Sequence, residues 1–162
     1  MNKIIIGILT LVWSISASAF VCSEDNSIEN QYKNAEHVFL AYVLETRLEP
    51  ALAKKIINPH AMKNNTEAPK LISADYQIIE EFKGKLSSFP RLVELLGFGT
   101  GYVGLIPGVY YVVFLPKPVA GIPEGYQGVN ICNVPLAHEH LHNAGFQSEL
   151  SKIRALKGKQ KH

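Results

Sequence analysis

Gly108-Val109-Tyr110-Tyr111-Val112-Val113-Phe114-Leu115 is the stretch on which the fold turns. After its glycine the run is unbroken β-branched, aromatic and aliphatic. Pro107 and Gly108 precede it and Pro116 follows it. A short apolar run of this composition between turn residues reads as a buried strand. Upstream, Glu36 to Leu48 is also rich in β-branched and aromatic residues and reads as a strand buried on one or both faces. Ile72 to Lys83 alternates instead, with Tyr76, Ile78 and Phe82 on one side, which is the period of a half-buried strand. Its end, Phe82-Lys83-Gly84-Lys85, is a glycine turn. Arg91 to Leu96 reads as a third short strand in chain order and Val129 to Cys132 as the last. Polar residues 23–34 suit a short helix or turns. Residues 49–71 read as a long loop with one helical turn around Ala51–Ile57. Gly97 to Tyr102 and the Pro/Gly-rich residues 116–128 read as connections. From Leu136 the pattern becomes helical, with Phe146, Leu150, Ile153 and Leu156 on one stripe. Five short strands followed by a helix predict a mainly β chain, a small barrel with helices packed outside it.

The 162 residues suit one domain. They are 47% hydrophobic, enough for a core, which excludes a disordered or collagen-like chain. A formal net charge of +2 excludes nucleic-acid binding through a general basic field. Two cysteines are too few for a disulfide-rich miniprotein or a four-cysteine zinc site.

Residues 1–19 read as a cleaved signal peptide. Lys3 precedes the apolar run Ile4 to Trp13, and Ala17-Ser18-Ala19 forms the cleavage site. The run is too short for a helix across a bilayer of ~30 Å, and no other stretch approaches that length. The expected product is an exported, periplasmic or secreted protein that begins Phe20-Val21-Cys22 and does not stay inserted in a membrane. In an oxidising compartment Cys22 and Cys132 usually pair, the alternative being two free thiols. Asn64-Asn65-Thr66 matches the glycosylation sequon, which carries little weight for a bacterial-type signal.

The order of these pieces resembles the netrin-like module, the OB-fold barrel shared with tissue inhibitors of metalloproteinases. The family's "Ala-x-x-Val-Phe-x-Ala-x-Val" strand corresponds to Ala35-Glu36-His37-Val38-Phe39-Leu40-Ala41-Tyr42-Val43. Its "Phe-Lys-Gly" turn corresponds to Phe82-Lys83-Gly84. Its "Gly-x-x-Tyr-x-Val-Phe" strand corresponds to Gly108 through Phe114, and its late cysteine to Cys132. The resemblance covers about residues 20–156. It implies a five-stranded OB-type β-barrel over residues 20–157, ahead of a basic tail at 158–162. It also implies a bridge between Cys22 and Cys132, in agreement with the pairing expected from export. It further implies a protein-binding role, with a metalloprotease as the partner and Phe20-Val21-Cys22-Ser23 as the ridge entering its cleft. The family's first cysteine, whose amino group and carbonyl chelate the protease zinc, falls at Phe20. On this reading there is no catalytic residue and no cofactor.

A second pattern points elsewhere. His138-Glu139-His140-Leu141-His142 contains His-Glu-x-x-His. On a helix His138 and His142 face the same way and can bind zinc, with Glu139 as general base. The resulting alternative is a small zinc hydrolase. A zincin also needs a third ligand, and the position six residues after His142 is Ser148. A third alternative is an envelope structural module with no inhibitory role. The glycines of Gly99-Thr100-Gly101-Tyr102-Val103-Gly104 sit in a loop without a following helix, which excludes a nucleotide-binding reading. The basic residues Lys152, Arg154, Lys157, Lys159 and Lys161 suit a solvated helix end. Tyr110, Tyr111 and Phe114 are of the types with which OB-folds stack nucleic-acid bases, but export and low charge speak against a nucleic-acid partner.

Overall fold

The computed structural model describes residues 22, 27–56, 70–85, 90–96, 101–117 and 123–159. The chain order is α1 (Ile28–Asn34), β1 (His37–Leu48), α2 (Pro50–Ile56), β2 (Lys70–Lys83), β3 (Arg91–Leu96), β4 (Tyr110–Leu115), β5 (Tyr126–Gly128), β6 (Leu136–His138) and α3 (Ala144–Lys159). The strands form one six-stranded sheet in the order β5-β3-β2-β1-β4-β6. All neighbours are antiparallel except β3 and β5, which run parallel.

β1 is the spine of the sheet. It pairs with β2 from Val38↔Lys83 to Leu48↔Ile72, and with β4 from His37↔Leu115 to Tyr42↔Tyr110. Three register shifts interrupt the β1–β2 ladder, between Val38/Phe39, Leu40/Ala41 and Val43/Glu45. Such bulges bend a strand and raise its twist. The result is a curled sheet with two faces. Phe39, Ala41, Val43, Ala74, Leu92, Tyr111, Val113 and Leu115 form the inner core. The alternate residues Val38, Leu40, Val112 and Phe114 face outward and are covered by Tyr32 of α1 and by Phe146, Leu150 and Ile153 of α3. The near-continuous burial of β4, and of β1 from Val38 to Val43, therefore has a cause on each face.

Local signals set the helix ends. The Ser27 side chain caps α1 by accepting from the Asn30 amide. Lys83 Nζ closes its far end, donating to the carbonyls of Tyr32 and Lys33. Asn143 Oδ1 accepts from the Phe146 amide and starts α3. Gly84 ends β2 at φ +69°, and a Cβ there would lie 2.5 Å from His37 Nδ1 and 2.7 Å from the Glu36 carbonyl oxygen. The turn therefore requires glycine.

The first four strands and the α3 stripe match the sequence expectation, α1 falls in the segment read as a short helix or turns, and α2 on the helical turn expected around Ala51–Ile57. Three expectations are corrected. The strand expected at Val129–Cys132 is instead β5 at Tyr126–Gly128, and residues 131–133 are a turn. Asn130 and Asn133 bend that segment with their own side chains, as Asx residues do. The helical pattern expected from Leu136 starts only at Ala144, because Leu136–His138 pairs with β4 as β6. Finally, the described residues form six strands rather than five, and no ladder closes the sheet. Residues 129–135 cross the gap instead. The Val129 amide donates to Val93 of β3, and the Phe114 amide of β4 donates to Asn133. Four residues span at most about 14 Å. The crossing thus draws β3 and β4 near each other although β2 and β1 separate them within the sheet.

The segment read as a signal peptide, the sequon Asn64-Asn65-Thr66 and residues 160–162 lie outside the described residues. Gly158 and Lys159, placed in the basic tail by sequence, continue α3. Among the described residues no helix is long and apolar enough to cross a membrane.

Candidate partner-binding surface

Cys22 and Cys132 are joined by a disulfide that links positions 110 apart, with a Cα–Cα distance of 5.5 Å. Such a bond agrees with an oxidising, non-cytoplasmic environment. Phe20, Val21 and Ser23, the other members of the expected ridge, lie outside the described residues. Cys132 sits in a turn that holds its own shape. Asn133 Oδ1 accepts from the Asn130 amide, and Asn130 Oδ1 accepts from the Cys132 amide. Asn133 Nδ2 donates to the Gly128 carbonyl.

This turn is tied to the connection between β3 and β4, because the Ile131 amide donates to the Gly101 carbonyl at 2.8 Å. Residues 101–106 form no ladder of their own. Side chains from two strands hold them. Glu94 of β3 is fully buried. Its Oε1 accepts from the amides of Val103 and Gly104, and its Oε2 from those of Gly104 and Leu105. Tyr111 of β4 donates its hydroxyl to the Gly104 carbonyl and accepts from the Ile106 amide, both at 2.9 Å. Burial raises the Tyr111 hydroxyl above its ordinary pKa, and the Glu94 carboxylate adds to the shift while the Ile106 amide opposes it.

The segment held this way turns large apolar side chains to solvent. Tyr102 is 62% exposed, Ile106 57% and Ile131 37%. No charged side chain occurs in residues 101–109 or 129–137. Sequence reasoning assigned no role to Glu94, Tyr102, Ile106 or Ile131. A signal was present in one case: Glu94 is an acid inside Arg91-Leu92-Val93-Glu94-Leu95-Leu96, an otherwise apolar strand after its first residue.

The main charged cluster is elsewhere and is internally matched. Arg47 bonds Glu45 at 2.9 Å and Asp75 at 2.8 Å, and Arg91 bonds Asp75 at 2.8 Å. Arg91 also reaches Glu49, which accepts from Ser73 Oγ. The hydrogen bond from Arg47 holds the Glu45 carboxyl below its ordinary pKa, and the charge of Arg47 reinforces the shift.

His138, Glu139 and His142 do not share a helix face. His138 ends β6, Glu139 lies in a bend and His142 in the turn before the Asn143 cap. His138 Nδ1 accepts from the His140 amide, and its ring packs 5.7 Å from that of Phe146. The helical geometry on which the zinc alternative rests is thereby corrected. Among the described residues no three His, Cys, Asp or Glu side chains are grouped to hold a metal.

No protein-family model matches the chain, and no curated protein matches it either.

Proposed function

We propose that this chain is an exported, periplasmic or secreted protein-binding module of the netrin-like kind, with an OB-type barrel, that acts as a metalloprotease inhibitor. The observation that carries the reading is the uncharged apolar rim formed by segments 101–109 and 129–137 on the Cys132 side of the disulfide. Tyr102 and Ile106 stand on a loop hydrogen-bonded to the turn that holds Ile131 and Cys132. Cys132 in turn is bonded to Cys22, a member of the proposed Phe20-Val21-Cys22-Ser23 ridge. An uncharged rim suits an uncharged apolar cleft, since a charged cleft would lose solvation without gaining a partner. The parallel β3–β5 pair, the antiparallel β1–β4 pair and the crossing at 129–135 support the OB-type reading. The reading includes no catalytic residue, cofactor or nucleic-acid partner. Fold alone does not assign function, so the test is biochemical.

The disulfide-bonded chain beginning at Phe20 is titrated against zinc-dependent endopeptidases cleaving a fluorogenic peptide. Stoichiometric loss of activity of one enzyme is expected. Val21→Asp, or one residue added before Phe20, is expected to abolish it. Equal inhibition by those variants refutes the ridge. Absence of inhibition across the set refutes the protease partner and favours an envelope structural role.

A further inference from the structure

We infer that Glu94 is a positioning residue: its buried carboxylate presets the 101–106 loop, so that Tyr102 and Ile106 meet a partner in their bound geometry. The inference rests on the reading of this rim as the partner-binding surface. Among the described residues no cation pairs with Glu94. A buried carboxylate is costly unless hydrogen bonds replace its water. Among the described residues its donors are all main-chain amides of one short segment, Val103-Gly104-Leu105. Successive amides converging on an anion form a concave nest. Gly104 permits it with φ +73°. Tyr111 grips the same segment from β4, at the Gly104 carbonyl and the Ile106 amide.

Two strands thus fix, through side chains, a loop that has no ladder to fix it. The side chains it displays, Tyr102 and Ile106, are more than half exposed and contribute little burial to hold the loop themselves. A loop ordered in advance does not lose its freedom on association, which strengthens binding.

Amide hydrogen exchange on the oxidised chain tests this, with Glu94→Gln and, as a milder variant, Tyr111→Phe. Loss of hydrogen bonds to a charged acceptor predicts about tenfold or faster exchange at Val103, Gly104 and Leu105 in Glu94→Gln. Exchange across Val38–Val43 stays unchanged. In Tyr111→Phe the Ile106 amide is the one that accelerates. Against an endopeptidase that the natural chain inhibits, Glu94→Gln weakens inhibition. Combined with Tyr102→Ala it weakens it by less than the product of the two single effects, because one acts through the other. Multiplicative effects overturn the inference. So does unchanged exchange at 103–105, or equal acceleration through the core in both variants, which makes Glu94 and Tyr111 residues of the fold alone. Failure of the natural chain to inhibit any endopeptidase refutes the protease reading. In that case the local exchange pattern by itself decides the clamp, supporting or overturning it.

Discussion

Replacing both Cys22 and Cys132 by alanine removes the bridge without leaving a reactive thiol. The two positions lie 110 apart, so the bond closes the chain from before α1 to beyond β5 into one loop, leaving β6 and α3 outside it. The lost loop-closure entropy corresponds to about 5 kcal/mol at room temperature. That is comparable to the total stability of a typical domain, about 5–15 kcal/mol. No large local penalty adds to it on the Cys132 side, because Asn130 and Asn133 shape that turn by their own hydrogen bonds. For a chain of this size the loss corresponds to a fall in Tm of roughly 10–20 °C. Urea unfolding of the oxidised natural chain and of the double variant measures it. The midpoint should fall and the slope should steepen, because an unfolded chain without the cross-link exposes more surface. A loss under about 1 kcal/mol with an unchanged slope refutes the loop-entropy reasoning and makes the bridge a local tether.

The docking of α3 rests on Leu150 and Ile153, both fully buried, so Leu150→Ala should cost about 2–5 kcal/mol by the same urea assay. Gly84→Ala forces a left-handed residue worth about 1–2 kcal/mol, with a clash against Glu36 and His37 added, so it should destabilise at least that much. A neutral effect would show that the turn relaxes. Burial raises the hydroxyl pKa of Tyr32, Tyr76 and Tyr111 above the ordinary 10.0. The folded chain therefore holds these protons more tightly than the unfolded chain. The stability these tyrosines contribute is complete below pH 10.0 and is lost as the pH rises above it. Phenolate absorbance should show these three of the seven tyrosines ionising late, together with unfolding. Ionisation of all seven at pH 10 in a chain that stays folded would contradict this.

Much of the sheet was legible because its strands carry their own signal. β4, and β1 from Val38 to Val43, are buried on both faces and read as continuous apolar runs, and the α3 stripe repeats with the helical period. β5 and β6 have three residues each, too few for periodicity to speak. Asn130 and Asn133 decide the segment between them by bonding the main chain, whereas Val129 and Ile131 around them suggest a strand. The histidines misled for a related reason. Their spacing fits a helix, but β4 offers Leu136–His138 an edge to pair with, and the Asn143 cap delays α3. At the candidate surface, the cysteine pairing was legible from compartment and resemblance. The Glu94 clamp was not, because its partners are main-chain amides, which every residue but proline carries.

The disulfide also bears on how the chain acquires its structure. Cys22 precedes every described strand, and Cys132 follows the β5 segment that must lie beside β3. The β1–β4 and β3–β5 pairings join distant positions, a topology that folds slowly. With only two cysteines in the chain, one intramolecular pairing exists, so oxidation leaves no scrambled isomer to be repaired. The competing product is a bridge between two molecules. Refolding yield should therefore depend on protein concentration more than on the presence of a disulfide isomerase.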